Sequence, residues 1–277
     1  MKLGIIGGES EKDFQYVQSL GLSYIEFCIN VGQNAFEHAA RAEEIAGYSK
    51  KYGVAVSSVG RWGTERLLPD GTVNDEEYRS DLALIDMAAA VGCPVFVCGC
   101  NEVKEMSFID NALLAADYFQ KLVDYGAARG VRIAVYNCDW GNVIFDRRGW
   151  DIVLPKVGGL GIKYDTSHCI NRGGDTLQEM LDYGKHFYHF HIKGTVRING
   201  RHVDDPPAGM DMTPWGAVMD LLYLHDYKAV MSIEPHSSVW RRGNREDWAC
   251  ALPSNISSSL FSTRSRRKNR FEMEGRP

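Results

Sequence analysis

The sequence has no Cys-x-x-Cys pair, no apolar run of membrane-spanning length, no GxGxxG loop and no surplus of basic residues. Each absence removes a class of protein. The seven cysteines are odd in number, and most lie inside apparent strands (Cys28, Cys93, Cys98, Cys100, Cys138). Cys98-Gly-Cys100 is too tightly spaced for a structural zinc pair. This usage suits small buried hydrophobes in a reducing compartment rather than a disulfide framework. The apolar part of MKLGIIGGES is too short for a signal peptide, so a soluble cytoplasmic protein with no membrane partner is expected. Without the dinucleotide spacing, the GIIGG ending of the first strand is not a nucleotide loop. A net charge of −5 argues against nucleic acid as a partner, and no multi-basic phosphate cradle is visible.

What is present is an unbroken alternation of strand and helix. The 277 residues are 44% hydrophobic and 24% charged, enough for one large core. Eight strand-like runs can be marked: 2–7, 24–30, 54–59, 94–98, 131–137, 160–165, 187–192 and 229–234. Between them lie helical periods over 13–20, 35–52, 74–91, 108–129, 148–157, 177–183 and 215–225, with a long loop over 193–212. Arg61 and Trp62 fall in the loop behind the third strand. Eight strands with short connections predict a closed (β/α)8 TIM barrel of one domain over residues 1–248.

The last helix is aberrant. Residues 249–277 are rich in serine and arginine, carry a proline and lack amphipathic period. A back-translation of ACALPSNIS shifted by one base reads GVRFTIKYI, more like a closing segment, so a frameshifted, disordered tail is expected. The tail holds six basic and two acidic side chains, which leaves −9 on residues 1–248.

Three strands end in groups able to bind a metal or move a proton: LGIKYDTSH in Asp165 and His168, FYHFHIKG in His191 and Lys193, AVMSIEPH in Glu234 and His236. Polar side chains collected at the C-terminal ends of barrel strands mark an active site. Asp165, His191 and Glu234 form a carboxylate and imidazole set suited to a divalent Mn, Co, Zn or Mg ion. Such an ion assists removal of a proton beside a carbonyl. Glu234 or His168 is the candidate base, with Lys193 as electrostatic partner. His189, alternating with His191, is expected to point away from the site. Trp62 and Trp140 can stack on a sugar, while Arg61, Asn137, Asp205 and His236 can bond its hydroxyls.

These motifs, with Asp165-Thr-Ser-His168, His189-Phe-His191-Ile-Lys193, Ile233-Glu234-Pro-His236 and Gly209-Met-Asp211…Trp215, resemble the sugar phosphate isomerase/epimerase family of xylose isomerase-like barrels. The resemblance implies a metal held by Glu, Asp, His and Glu from strands five to eight. By position these are Asp165, His191 and Glu234, with Tyr136 where the first Glu should stand; Asn137, Asp139 or Asn142 could supply an oxygen instead. Two-base epimerisation would then lose one base, leaving one-base isomerisation or β-elimination from a 3-keto-glycoside. The expected ligand is an unphosphorylated small carbohydrate. A non-catalytic sugar-binding barrel and an abasic-site endonuclease are the competing readings, the second disfavoured by the acidic charge. A homo-oligomer or partner subunit stays open.

Overall fold

A computed structural model describes residues 1–240, so the expected aberrant tail and eighth helix lie outside the described residues. The chain opens with β1 (Lys2–Ile6), α1 (Glu11–Ser19), β2 (Tyr24–Asn30), α2 (Ala35–Ala39), α3 (Ala42–Tyr52) and β3 (Ala55–Trp62). It continues through α4 (Asp75–Ala90), β4 (Val95–Cys98), α5 (Phe108–Ala127), β5 (Arg132–Tyr136) and α6 (Arg147–Val153). Then come β6 (Gly161–Asp165), α7 (Thr166–Arg172), α8 (Thr176–Tyr183), β7 (Phe187–Ile192), β8 (Val196–Ile198) and β9 (Arg201–Asp204). Helix α9 (Trp215–Leu224) and β10 (Val230–Ile233) end the described fold. Eight parallel strands close a barrel in the order β1-β10-β7-β6-β5-β4-β3-β2. This is the expected TIM barrel.

Period-2 alternation divides each strand into an outward face, packed on helices, and an inward face. Outward residues such as Ile25, Phe27, Ile133, Val135, Ile162, Tyr164 and Phe190 join one large core with Phe14, Leu84, Phe119 and Trp150. The inward faces differ around the ring. On β3 to β5 they form a small apolar cluster of Trp62, Val95, Val97, Ala134 and Tyr136. On the remaining strands the buried inward residues are polar: Glu26, Lys163, Asp165, His189, His191 and Ser232. The barrel therefore has an aromatic wall and a charged wall.

Four details differ from the sequence expectation. The helix expected over 35–52 is two helices. Arg41 stands at the break, donating to the Glu9 carboxylate at 3.0 Å and to the Glu9 carbonyl at 3.1 Å. Strand β3 extends through Trp62, because its pairing with β2 runs to Asn30 opposite Trp62 and with β4 to Arg61 opposite Cys98. His168 lies in α7, a helix too short for periodicity to reveal. The loop over 193–212 contains an antiparallel β8–β9 hairpin, turned by Asn199 and Gly200, both at positive φ.

Outside the barrel mouth, Arg66 is buried and forked onto Asp81 of α4 at 2.8 and 2.9 Å, with Tyr118 donating to the same carboxylate at 2.8 Å. The pair ties the loop after β3 to α4 and α5. Replacing Asp81 with Ala strands a guanidinium in the core and is expected to cost about 3–5 kcal/mol of unfolding free energy. Urea unfolding measures it; a loss below about 1 kcal/mol, the scale of a surface pair, would contradict the assignment.

Candidate active site

The site begins with Asp165. As N-cap of α7, it accepts the Ser167 N–H on Oδ1 at 2.8 Å, a bond that leaves Oδ2 free to face the barrel. Asn137 holds this corner from β5: its Nδ2 donates to the Asp165 carbonyl at 2.8 Å, and the Asp165 N–H donates to its Oδ1 at 2.9 Å. Across the β6–β7 pairing His191 lies beside Asp165. Glu234 follows β10 and donates its N–H to the Ile192 carbonyl at 3.1 Å. One ligand atom from each of Asp165, His191 and Glu234 lies within 4.8 Å of the others. The three groups chosen from strand ends do converge.

His191 is the hinge of the network. Its Nδ1 is 2.7 Å from Glu234 Oε2 and 4.0 Å from Asp165 Oδ2, while Nε2 is 2.9 Å from Glu26 Oε1. Glu26, on β2, also meets His189 Nε2 at 2.6 Å. His189 therefore does not point away from the site. Residues two apart on a strand share a face, so His189 and His191 both look inward, His189 one step deeper. Lys193 Nζ lies 3.2 Å from Asp165 Oδ2 and 3.5 Å from Glu234 Oε1. His168 Nε2 is 3.5 Å from Asp165 Oδ2, and its ring makes no hydrogen bond to any described residue.

Burial alone would neutralise these groups; their partners decide otherwise. Glu26 is fully buried, yet His189 and His191 hold its carboxyl well below the usual range. Burial likewise opposes the charge on Glu234 and Asp165, but Lys193 chiefly keeps both ionised, helped by His191 at Glu234 and by His168 and Lys163 at Asp165. The same two carboxylates raise Lys193 against its burial. His191 is raised by Glu26 and Glu234 in spite of burial. His189 is lowered, mostly by burial, and His168 is pushed down to about 3 by burial and the two lysines, leaving a neutral ring at pH 7.

These residues fit a divalent ion. Asp165 Oδ2 is buried and accepts no hydrogen bond, which is what a carboxylate oxygen directed at a cation requires. With its Nε2–H given to Glu26, His191 would bind an ion through Nδ1, in the carboxylate–histidine–metal arrangement, on release of the Nδ1 proton now shared with Glu234. Glu26, His189 and His191 also group within 4.8 Å, but there both Glu26 oxygens are satisfied by imidazoles. That trio supports His191. Strand β5 adds no carboxylate: its inward residues are Ala134 and Tyr136. Tyr136 stacks on Trp62 (4.2 Å between centroids, 18° apart) and donates its hydroxyl to the Trp140 carbonyl at 2.8 Å. Neither Asn137 nor Asn142 fills the gap, since both bind backbone: Asn142 donates to the Tyr136 carbonyl at 2.7 Å. Asp139 is exposed.

Above the donors opens a cavity of about 680 Å³, lined by Trp62, Trp140, Lys163, His168, His191, Lys193, Asp205, Glu234 and His236 among others. Trp140 and His236 stand at its rim, with His236 Nδ1 3.0 Å from Asp205 Oδ2, the bond that raises His236. Two expected sugar contacts are absent from it. Arg61 faces outward because Trp62 beside it faces inward, and its guanidinium is committed to Glu77 at 2.9 and 3.2 Å and to the Asn30 and Gln33 carbonyls. Asn137 is spent on the Asp165 backbone. Glu26 and Lys163 were not singled out from the sequence. Their one signal was a charge at an alternating position of an otherwise apolar strand.

A family model described as a xylose isomerase-like TIM barrel matches residues 14–253. The chain belongs to that family. Similar solved structures include D-psicose 3-epimerase with D-tagatose from Clostridium cellulolyticum H10 (TM-score 0.74, 14% identity, 94% of this chain and 99% of that one). The IolI protein with a bound zinc atom has a TM-score of 0.74 at 16% identity, covering 95% and 100% of the two chains. The apo form of 3-keto-D-glucoside 4-epimerase, YcjR, from E. coli has a TM-score of 0.70 at 14% identity, covering 93% and 99%. At such identities these likenesses establish the fold. No sequence among curated proteins matches the chain. Among the described residues no helix is long and apolar enough to cross a membrane.

Glu26→Gln tests the network beneath the site. Breaking this buried ionic group is expected to cost about 3–5 kcal/mol at pH 7. The Glu26 carboxyl is held well below its ordinary 4.5, so its contribution is full above that value and is lost as the pH falls through the depressed folded-state value. The deficit of the variant should therefore narrow in acid. Urea unfolding of both proteins at pH 7 and pH 3 checks this; a gap that does not change with pH would contradict an ionised Glu26.

Proposed function

We propose that the protein is a divalent-metal-dependent carbohydrate isomerase that moves a proton on the carbon next to a sugar carbonyl. The observation that carries the reading is the meeting of Asp165, His191 and Glu234 beside the unbonded ring of His168 on one cavity. The solved neighbours that act on sugars and hold zinc support it as analogies of fold.

Asp165, His191 and Glu234 would hold the ion, which when bound supplies polarisation of the substrate carbonyl and neighbouring hydroxyl. Trp62 and Trp140 would receive the apolar face of the sugar, and His236 with Asp205 its rim hydroxyls. Lys193, kept protonated, adds a fixed positive charge where negative charge develops on the substrate oxygen. His168 is the base. Glu234 is committed to the ion and to Lys193, whereas the neutral His168 ring lines the cavity and makes no hydrogen bond to any described residue.

One base sets the stereochemical course. A proton taken and returned by His168 stays on one face of the sugar, which suits transfer between adjacent carbons. The facing group of a two-base epimerase is missing, because Tyr136 is tied to Trp140. The same geometry favours a second reading, β-elimination from a 3-keto-glycoside, in which the proton is removed and the aglycone departs. The carbohydrate is unphosphorylated: Arg61, Arg66 and Arg172 are all engaged with protein groups. A cytoplasmic, reducing setting suits the free Cys28, Cys93, Cys98, Cys100, Cys138 and Cys169.

Plasma mass spectrometry is expected to find about one Mn, Co or Zn per chain in the wild type, following a three-ligand site with open positions. Asp165→Asn, which keeps an oxygen for the α7 cap, should lose the ion. His168→Gln should keep it, yet slow deuterium incorporation into ketose substrates in D2O by about 10²–10⁴-fold. No retained metal after supplementation would overturn the isomerase reading in favour of a sugar-binding barrel.

A further inference from the structure

Lys163 carries the inference. It lies on β6 two residues before Asp165 and so shares its inward face. Its side chain is 1% exposed, yet it lines the cavity. The ammonium makes no hydrogen bond to any described residue. Its nearest carboxylate oxygen, Asp165 Oδ2, is 4.0 Å away, and Lys193 already lies 3.2 Å from that same oxygen. On its other side is the Trp62 ring, 5.1 Å from nitrogen to centroid.

A buried ammonium carries three donors and needs acceptors for them. The carboxylates in this barrel have nearer neighbours than Lys163: Glu26 meets His189 and His191, Glu234 meets His191 and Lys193, Asp165 Oδ1 accepts from Ser167, and Lys193 stands closer to Asp165 Oδ2. Among the described residues of the barrel interior, Lys163 is the cation left without a close partner, at the seam between the aromatic and charged walls.

We propose that Lys163 is the anchor for a carboxylate on the ligand, so that the preferred ligand class is a sugar acid rather than a neutral sugar. This rests on reading the cavity as a carbohydrate site. One monoanionic group matches one unpaired ammonium, and the Trp62 indole flanking it excludes water and strengthens the pair. A phosphate dianion would call for the further cationic or N–H donors that this corner lacks.

The test is calorimetric titration of D-glucuronate, D-galacturonate and D-gluconate against D-glucose and D-galactose. A charge-assisted bond to a desolvated ammonium should make at least one acid bind about tenfold more tightly than its neutral counterpart. Lys163→Gln should erase that preference, and Lys163→Arg should restore part of it. Thermal melts confirm that the variants fold, and the wild-type comparison needs no variant. If no acid is preferred, the proposal fails. It also fails if the preference survives Lys163→Gln but vanishes with EDTA, since the carboxylate would then sit on a metal. Loss of metal or of deuterium exchange would sink the isomerase reading alone, because binding is measured without turnover.

Discussion

The imidazole of His191, shared between two buried carboxylates, is the interaction on which the centre of this barrel depends. With Glu26 on one nitrogen and Glu234 on the other, the ring is fixed in orientation, each nitrogen aimed at a carboxylate. Neither carboxylate could stay ionised in that interior alone, since isolated charges there cost several kcal/mol each. Glu26 is the foundation of the arrangement. It receives two imidazoles, sits below the cavity floor and presents His191 with Nδ1 toward Asp165.

From that shared ring the charged wall builds outward by pairing. Lys193 spans Asp165 and Glu234, and the latch from Asn137 keeps Asp165 at the height where its free oxygen meets His191. The opposite wall is built without charge: Trp62 lies flat on Tyr136, and a side chain on Gly99 would come within 2.5 Å of the Tyr136 ring. Glycine there lets the aromatic pair fill the space that a β5 carboxylate would otherwise enter. Sugars suit such a divided chamber, having an apolar ring face and polar edges.

Much of this was legible in the sequence, and the reason is periodicity. Strands of a barrel repeat every second residue and end at one rim, so Asp165, His191 and Glu234 stood out as the last polar groups of three successive strands. Position along a strand does not by itself say which face a residue takes. Arg61 and Asn137 stand at the right height, but one turns outward to α4 and the other spends both amide atoms on backbone. For His189 the period points inward: two residues from His191 means the same face. Glu26 and Lys163 are harder to read, because a single charge inside an apolar run looks like noise until the closed ring shows that its neighbours are also charged. The hairpin of β8 and β9 had its Asn199-Gly200 turn in view, between runs too short to read as strands.

Strands five and six set the site's electrostatics. Where the family pattern calls for a carboxylate from β5, this chain has an aromatic side chain, and β6 contributes a lysine beside it. Without the β5 carboxylate the cavity holds one anionic group fewer than that pattern, and Lys163 places a cation at the same seam. An ion held by Asp165, His191 and Glu234 would therefore be bound less tightly than by four ligands, with two ammonium groups nearby. In return it would be a stronger electrophile, since fewer anionic ligands offset its charge. Negative charge developing on a substrate oxygen would meet Lys193 as well as the ion. Tyr136 on β5 and Lys163 beside it on β6 thus act together on the charge of the chamber, setting an aromatic wall and an ammonium against the carboxylates of Asp165 and Glu234.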